Sequence, residues 1–202
     1  MAETAANAAT TTNGNPSLTA PVKTLVLVFH PDLEGASRVN KALAAAARTV
    51  GNVTVVDEYA TYPAAGPHPG ATAIDVAAEQ AALLKADRIV WQFPMYWYSS
   101  PALLKQWEDD VLAFGWAYGP GGDKLVGKEF RCAVSCGSTA DEYTPEGKFR
   151  ATIDEVLNPM RITAEYVEGS WGEPFAVYGC TPEQTDAQID EAAARYAQWL
   201  AK

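Results

Sequence analysis

Short apolar runs alternate with longer amphipathic segments along the chain. Four of these runs have the residue content typical of β-strands; they lie at 23–30, 52–59, 87–93 and 130–136. The first, KTLVLVFH, is continuous enough to be buried on both faces. The run ITAEYV, at 162–167, predicts a fifth strand. We therefore expect five short strands separated by longer segments.

Between these runs, apolar residues recur at helical spacing. The predicted helices span 37–50, 74–86, 101–113, 150–158 and 181–200. Alternating strands and helices are typical of a parallel sheet covered by helices on both faces. The length and the five strands favour an α/β, flavodoxin-like, three-layer doubly wound sandwich with a five-stranded parallel sheet of order 2-1-3-4-5. The six-stranded dinucleotide fold is the less favoured arrangement.

This domain is predicted to span residues 23–202. Residues 1–22 contain almost nothing that could be buried, so they are predicted to be a disordered leader.

Three unusual loops follow the first, third and fourth predicted strands. Their sequences are HPDLEGASRVN, PMYWYSSP and SCGST. In doubly wound sheets, ligands bind outside the carboxyl ends of the strands, at the switch point between strands one and three. These loops are therefore expected to be neighbours in space although they are distant in sequence.

The first loop leads into a helix whose opening residues, 37–40, carry backbone N–H groups that favour an anion. The side chains of His30, Ser37 and Asn40 add neutral hydrogen-bond donors, by which an acidic protein can hold a phosphate. Spacing alone leaves a second interpretation open, in which Ser37 only caps the helix and Asn40 lies on its surface.

Consecutive aromatic residues distinguish the second loop. A flat conjugated ligand lying along Pro94, Met95, Tyr96, Trp97 and Tyr98 would meet backbone groups at its edge and rings near its face. Because neighbouring side chains point in different directions, these rings cannot all enter one core. The loop therefore indicates a ligand or an interface rather than core packing.

The third loop is small, and Gly137 has no Cβ to keep a ligand from the backbone.

The chain contains neither GxGxxG nor GxxxxGK[ST], so a pyridine-nucleotide Rossmann site and a P-loop lose support. His30 and His68 are the only histidines and there is no HExxH, so no metal site is expected. His68, between prolines, is predicted to lie on the surface.

Charge and cysteine content narrow the function classes further. The net charge of −10, from 15 Lys and Arg against 25 Asp and Glu, argues against nucleic acid and anionic membranes as partners. No apolar run approaches the roughly 20 residues of a spanning helix, so no membrane insertion is expected. Three cysteines without C-x-x-C spacing favour a reducing, cytoplasmic location.

The motifs at these loops resemble one protein family. HP followed by S-x-x-N, together with QFPMYWYSSPALLKQW, GWAYGPGG and YTPEG, is similar to the flavodoxin-like NAD(P)H:quinone oxidoreductases, which include ancillary flavoproteins of potassium efflux systems. The resemblance covers the chain from Lys23 to Leu200. It implies FMN as cofactor, with FAD as the alternative, NAD(P)H as co-substrate, a quinone or related aromatic acceptor, and a homodimer.

The resemblance also implies roles for individual residues. Those implied to bind the flavin are His30, Ser37, Arg38, Val39, Asn40, Pro94, Met95, Tyr96, Trp97, Tyr98, Ser135, Cys136, Gly137 and Ser138. The last four stand where the family usually has Thr-Thr-Gly-Gly, so one of two glycines is missing. Tyr143 matches a catalytic tyrosine that in some members works with a histidine, although no histidine follows it here.

Trp116, Tyr118 and Trp171 match aromatic positions of the substrate pocket. In related dimers the rings matched by Trp116 and Tyr118 close over the partner's flavin, and Trp171 falls near a similar wall. Plain dimer packing is the other interpretation that stays open for each. The implied reaction is ping-pong, in which NAD(P)H passes a hydride to the flavin N5 and leaves before the acceptor takes its place. Two other functions also stay open: a non-enzymatic flavodoxin-type electron carrier, and a flavin-binding regulatory subunit of a potassium efflux transporter.

Overall fold

Six parallel strands form the central sheet in the part of the chain that the structure describes. The computed structural model describes residues 21–63 and 73–202, so His68 and nearly all of the predicted leader lie outside the described residues. The strands are β1 Thr24–Val28, β2 Val53–Asp57, β3 Arg88–Pro94, β4 Glu129–Ser135, β5 Ser170–Trp171 and β6 Phe175–Val177. They pair in the order β2-β1-β3-β4-β5, and β6 pairs with the carboxyl half of β4. This confirms the predicted fold class and strand order, with a sixth short strand added.

Helices cover both faces of the sheet. They are α1 Val39–Ala47, α2 Glu58–Thr61, α3 Val76–Lys85, α4 Ala102–Val111, α5 Ile153–Val156, α6 Asn158–Tyr166 and α7 Asp186–Leu200. Alternate residues of β1 point to opposite faces: Leu25 and Leu27 pack with α3, α4 and α6, whereas Val26 and Val28 pack with α1 and α7. Burial on both faces explains why the central strands are continuous apolar runs. No helix in the described ranges is long and apolar enough to cross a membrane.

The strand predicted at 162–167 is wrong, because residues 162–166 form the second half of α6 and Val167 is its C-cap. Met160 and Ala164 are buried, whereas Ile162 and Tyr166 are 51% and 66% exposed. Each of these pairs is four residues apart, so burial follows the helical period rather than the alternation of a strand. The edge of the sheet is instead completed by β5 and β6, further along the chain.

Several helix boundaries also differ from the prediction. The helix expected at 150–158 is only the single turn α5, and the last helix begins at Asp186 rather than at Thr181. Ser37 does not cap α1 in the usual way, since the cap position is Arg38 and has no side-chain cap bond. The Ser37 hydroxyl instead accepts a hydrogen bond from the Lys41 N–H at 3.3 Å.

Candidate functional site

The carboxyl ends of four strands meet at one edge of the sheet. The register places Pro94 beside Ser135, and Ser135 beside Val177, while Val28 lies beside Gln92 two residues before Pro94. The loops that follow β1, β3, β4 and β6 therefore leave the sheet side by side. This arrangement brings the three loops singled out from the sequence into contact, together with a fourth at 178–184.

Two cavities lie along this edge, and most of the predicted flavin-binding residues line one or the other. A cavity of about 390 Å³, here called the polar cavity, is lined among others by His30, Ser37, Arg38, Val39, Asn40, Pro94, Tyr96 and Ser135. A cavity of about 200 Å³, here called the aromatic cavity, is lined by Met95, Trp97, Tyr98, Gly137, Ser138 and Tyr143. The remaining predicted residue, Cys136, is buried beneath the loop.

The loop after β1 is folded around Asp32. Its carboxylate accepts hydrogen bonds from the N–H groups of Gly35 at 3.0 Å and Ala36 at 2.9 Å. A Cβ on Gly35 would lie only 2.5 Å from the Asp32 carboxylate oxygen, so a larger residue here would displace this carboxylate. This loop leads directly into α1, whose first backbone N–H groups have no partner within the helix.

His30 is a neutral donor at the polar cavity. Burial lowers the pKa of His30, and its Nδ1 accepts a hydrogen bond from the Asp32 N–H at 3.1 Å. A neutral imidazole that accepts at Nδ1 carries its proton on Nε2. His30 can therefore donate a hydrogen bond to a ligand without carrying a full charge.

A buried chain of amides and a hydroxyl lies beneath the polar cavity. The Gln92 Nε2 donates to the backbone oxygen of Asn40 at 3.0 Å and to its Oδ1 at 3.3 Å. The Asn40 Nδ2 donates in turn to the Ser135 Oγ at 2.8 Å. All three side chains are buried, so the contacts join β3, α1 and β4 in one fixed arrangement.

Arg38 lines the same cavity with a positive charge that is paired with a carboxylate. Its guanidinium donates to the Asp186 carboxylate at 2.7 Å and to the Pro182 oxygen at 3.3 Å, which ties α1 to the loop before α7. Among the residues that the structure describes, no acidic side chain lines the polar cavity. The polar cavity is therefore suited to an anion although the whole chain is acidic.

The aromatic cavity is bordered by a strained turn. Tyr96 and Ser99 exchange two backbone hydrogen bonds of 2.9 Å, which close a two-residue turn over Trp97 and Tyr98. Both residues have left-handed backbone conformations, with φ of 49° and 61°. This turn normally carries Asn-Gly, and bulky residues in it are strained by about 1–2 kcal/mol each. Trp97 points outward from this turn, with 92% of its surface exposed.

Tyr143 belongs to a cluster of rings behind this turn. Its ring lies 4.8 Å from Phe149 and 5.6 Å from Tyr178, and Phe149 also contacts Tyr98 at 5.0 Å. Burial and the neighbouring Cys136 raise the pKa of Tyr143, and burial raises the pKa of Cys136 to about 12. Both groups therefore keep their protons at neutral pH.

Residues 22–200 match the profile of a family described by its flavodoxin-like fold. The chain belongs to this family.

Two curated relatives of this flavodoxin-like chain come from bacteria. Over 179 residues it is 45% identical to YrkL of Bacillus subtilis (strain 168), an uncharacterized NAD(P)H oxidoreductase, and the match covers 89% of this chain and 98% of that protein. It is 38% identical to KefG of Cronobacter sakazakii, an ancillary protein of a glutathione-regulated potassium-efflux system, over 89% of this chain and 92% of KefG.

Two solved structures share the flavodoxin-like fold of this chain. General stress protein 14 of Treponema denticola, in complex with FMN, is 39% identical with a TM-score of 0.78, over 88% of this chain and 97% of that one. An NADPH-quinone reductase of P. pentosaceus is 33% identical with a TM-score of 0.72, over 88% and 96% of the two chains.

The structure does not bring the three predicted pocket aromatics into either cavity. Tyr118 lines a separate cavity of about 540 Å³ between α4 and α6, where its ring lies 5.4 Å from Tyr166. Trp116 packs, half-buried, against the core on the same side. Trp171 pairs with Phe130 at the amino end of β4, five residues and roughly 16 Å from the carboxyl edge.

Sequence reasoning missed two parts of the edge. The first is the loop after β6, from which Cys180, Thr181, Pro182 and Gln184 line the polar cavity. The run FAVYGCTP has apolar residues followed by Gly and Pro, which is the signal of a strand and a loop, but the run at 162–167 favours a fifth strand earlier in the chain. The second is Gln92, hidden as one polar residue within an apolar strand.

Proposed function

We propose that this protein is an FMN-dependent NAD(P)H:quinone oxidoreductase. The observation that carries the proposal is the combination, at one sheet edge, of a cavity lined by neutral and positive donors with a cavity lined by aromatic rings. The first fits a phosphate and the second fits a flat conjugated ring. An FMN-bound relative and an NADPH-quinone reductase of the same fold support the assignment.

The polar cavity would hold the phosphate and the sugar-like chain of FMN. The N–H groups at the start of α1, the His30 Nε2 and the side chains of Ser37, Asn40 and Ser135 are the donors, and Arg38 adds positive charge. Helix N-termini with hydroxyl and amide donors are established phosphate sites. This donor set fits the 5′-phosphate of FMN without requiring a basic protein.

The aromatic cavity would hold the flavin ring. Residues 94–98 would run along the ring, and the backbone at Gly137 and Ser138 would face its polar edge. Gly137 is open to such an approach, since nothing lies within 4 Å of a Cβ placed on it. When bound, FMN supplies the hydride chemistry, accepting two electrons from NAD(P)H and giving them to the acceptor. The exposed Trp97 would cover the substrate and exclude water.

Tyr143 would donate a hydrogen bond rather than act as a base. Its raised pKa keeps the phenol protonated, and its hydroxyl lies against the Cys136 thiol. A proton relay of the Tyr–His kind has no histidine here, since His30, the one histidine in the described ranges, lines the other cavity. Tyr143 therefore positions the ring or the substrate in this proposal.

A second copy of the chain would complete the site. Phe114 and Tyr166 are 69% and 66% exposed beside Tyr118, and an exposed cluster of apolar rings is the kind of surface that a protein partner covers. The proposed homodimer would cover this surface and bring Trp116 and Tyr118 towards the partner's flavin.

Steady-state kinetics test the proposal. Purified protein with added FMN is given NADPH and a water-soluble quinone, and initial rates are measured over a grid of both substrates. Parallel lines in double-reciprocal plots are expected, because one substrate leaves before the other binds. The proposal would be overturned if the rate with protein and FMN were less than ten times the rate with FMN alone.

The similarity to KefG supports a second candidate, a flavin-binding subunit that regulates a potassium efflux transporter. The kinetic experiment separates the two. FMN binding without NADPH oxidation would favour the regulatory subunit or a simple electron carrier, whereas rapid turnover favours the enzyme.

A further inference from the structure

We propose that Gln92 is a positioning residue that makes the polar cavity an anion site. The proposal rests on the proposed function in one respect, namely that the anion is the phosphate of FMN. Gln92 lines neither cavity along the edge, and no role in binding follows from its position alone. Its effect is argued through Asn40 and Ser135, which do line the polar cavity.

The orientation of the Gln92 amide is fixed by its neighbours. The side chain is fully buried in β3, and its Nε2 lies within 3.3 Å of two oxygens of Asn40, the backbone carbonyl and Oδ1. Both oxygens are acceptors, so only the amide nitrogen of Gln92 can face them. A flipped amide would bring three oxygens together.

The fixed amide in turn fixes the direction of Asn40 and Ser135. Because the Asn40 Oδ1 is held by Gln92, its Nδ2 points to the cavity side, where it donates to the Ser135 Oγ at 2.8 Å. With its oxygen accepting that bond, the Ser135 hydroxyl keeps its hydrogen for a ligand in the cavity. Asn40 and Ser135 therefore present donors to the cavity rather than a mixture of donors and acceptors.

The fold gains little from Gln92 itself. Its Oε1 is buried and has no hydrogen-bond partner among the described residues. A buried carbonyl oxygen without a partner is destabilising, and this cost offsets what the two Nε2 contacts contribute. Asn40 lies in α1, where its backbone oxygen also accepts a helix hydrogen bond, so the position of its backbone does not depend on Gln92. The benefit of Gln92 is thus expected in binding rather than in stability.

The test is the variant Gln92→Met, which keeps the length of the side chain and removes the amide. Affinities for FMN, riboflavin and inorganic phosphate are measured by fluorescence and calorimetric titration, with the Tm in parallel. We expect FMN and phosphate to bind about tenfold more weakly because Asn40 is free to turn its oxygen towards the anion. Riboflavin, which has no phosphate, should bind as in the unaltered protein, and the Tm should be unchanged or higher.

Gln80→Met is the matched control. Gln80 also donates from its Nε2 to a backbone oxygen, that of Val111 at 2.9 Å, but it lies on α3 at the opposite face of the sheet. The Gln80→Met variant should have the same affinities for FMN, riboflavin and phosphate as the unaltered protein. Gln92→Glu is the second variant if Gln92→Met does not fold: its FMN-to-riboflavin affinity ratio should fall at pH 8 and recover at a pH where the buried acid is protonated and can donate again.

Equal weakening of FMN and riboflavin in Gln92→Met would show a merely structural role and overturn the inference. So would unchanged FMN and phosphate affinity, and in that case turnover by the unaltered protein would leave the proposed function standing. If the unaltered protein binds phosphate but no flavin, the proposed function fails and the phosphate titration alone decides the inference. Absence of both kinds of binding overturns both.

Discussion

The two cavities at the sheet edge are built in opposite ways. The polar cavity rests on buried, mutually bonded side chains, Gln92, Asn40 and Ser135, with little exposed surface. The aromatic cavity is bordered by an exposed tryptophan on a turn whose two central residues are strained. Buried satisfied donors give affinity and a fixed orientation, whereas exposed strained rings reduce stability and are explained by what they contact in the working protein. In the proposed function, the first cavity binds the phosphate and the second holds the reacting ring.

Asn40→Asp should separate the two cavities most strongly. It puts a carboxylate where the polar cavity receives a phosphate, and repulsion between like charges should weaken FMN binding by roughly 100- to 1000-fold. The affinity for riboflavin should fall much less. Fluorescence titration measures both, and Asn52→Asp, in the loop before β2 at the other end of the sheet, is the control. An FMN affinity within threefold of the unaltered protein would remove the distinction between the cavities.

A buried acid outside both cavities should control how stability depends on pH. Burial, with added repulsion from Glu79 and Asp57, raises the pKa of Glu58 from 4.5 to about 8. The native state then keeps a proton that the unfolded state releases, so stability is full at low pH and is lost as the pH rises towards 8. Between pH 5 and 8 the free energy of unfolding should fall by roughly 2–4 kcal/mol more than in Glu58→Gln.

Urea unfolding at several pH values measures this difference. Glu58→Gln should bind FMN normally, because Glu58 lines neither cavity. Parallel pH profiles for the two proteins would show that Glu58 does not titrate in this range.

Trp97→Asn should make the protein more stable and less active. Asparagine tolerates the left-handed conformation, and an exposed tryptophan leaves little packing to lose, so stability should rise by about 1 kcal/mol. Loss of the ring should lower kcat/KM for the quinone about tenfold. Trp97→Phe, which keeps a ring and the strain, should retain most of the activity. A less stable Trp97→Asn would contradict the account of the turn.

Tyr143→Phe should have the smallest effect, less than about threefold on kcat. The phenol stays protonated and the ring contacts with Phe149 and Tyr178 persist in the variant. Its pH–rate profile should match that of the unaltered enzyme. A loss above about 30-fold, or a shifted profile, would identify Tyr143 as a proton donor in the chemical step.

Periodicity was sufficient to predict the layers of the fold and the meeting of the three unusual loops at one edge of the sheet. Central strands buried on both faces are long apolar runs, and parallel strands bring their following loops to one edge. It failed at 162–167, because Ile, Thr, Tyr and Val favour strands locally while packing of Met160 and Ala164 decides for a helix. That error also hid β6 and the loop that closes the polar cavity.

Two features of the site lay beyond the reach of sequence patterns. Trp97 and Tyr98 are residue types that disfavour the turn they form, so turn propensities do not predict a turn at this place. Gln92 stands in an apolar strand, and its contact with Asn40 depends on how β3 and α1 pack. Both features are set by tertiary contacts rather than by local preference.

The most direct test of the central claim is the anaerobic absorbance spectrum of the protein with bound FMN. NADPH and then a soluble quinone are added in turn. We expect the flavin bands to bleach with NADPH and to return in full with the quinone, in the ratio of one quinone to one FMN. Bound FMN that NADPH does not bleach would contradict it.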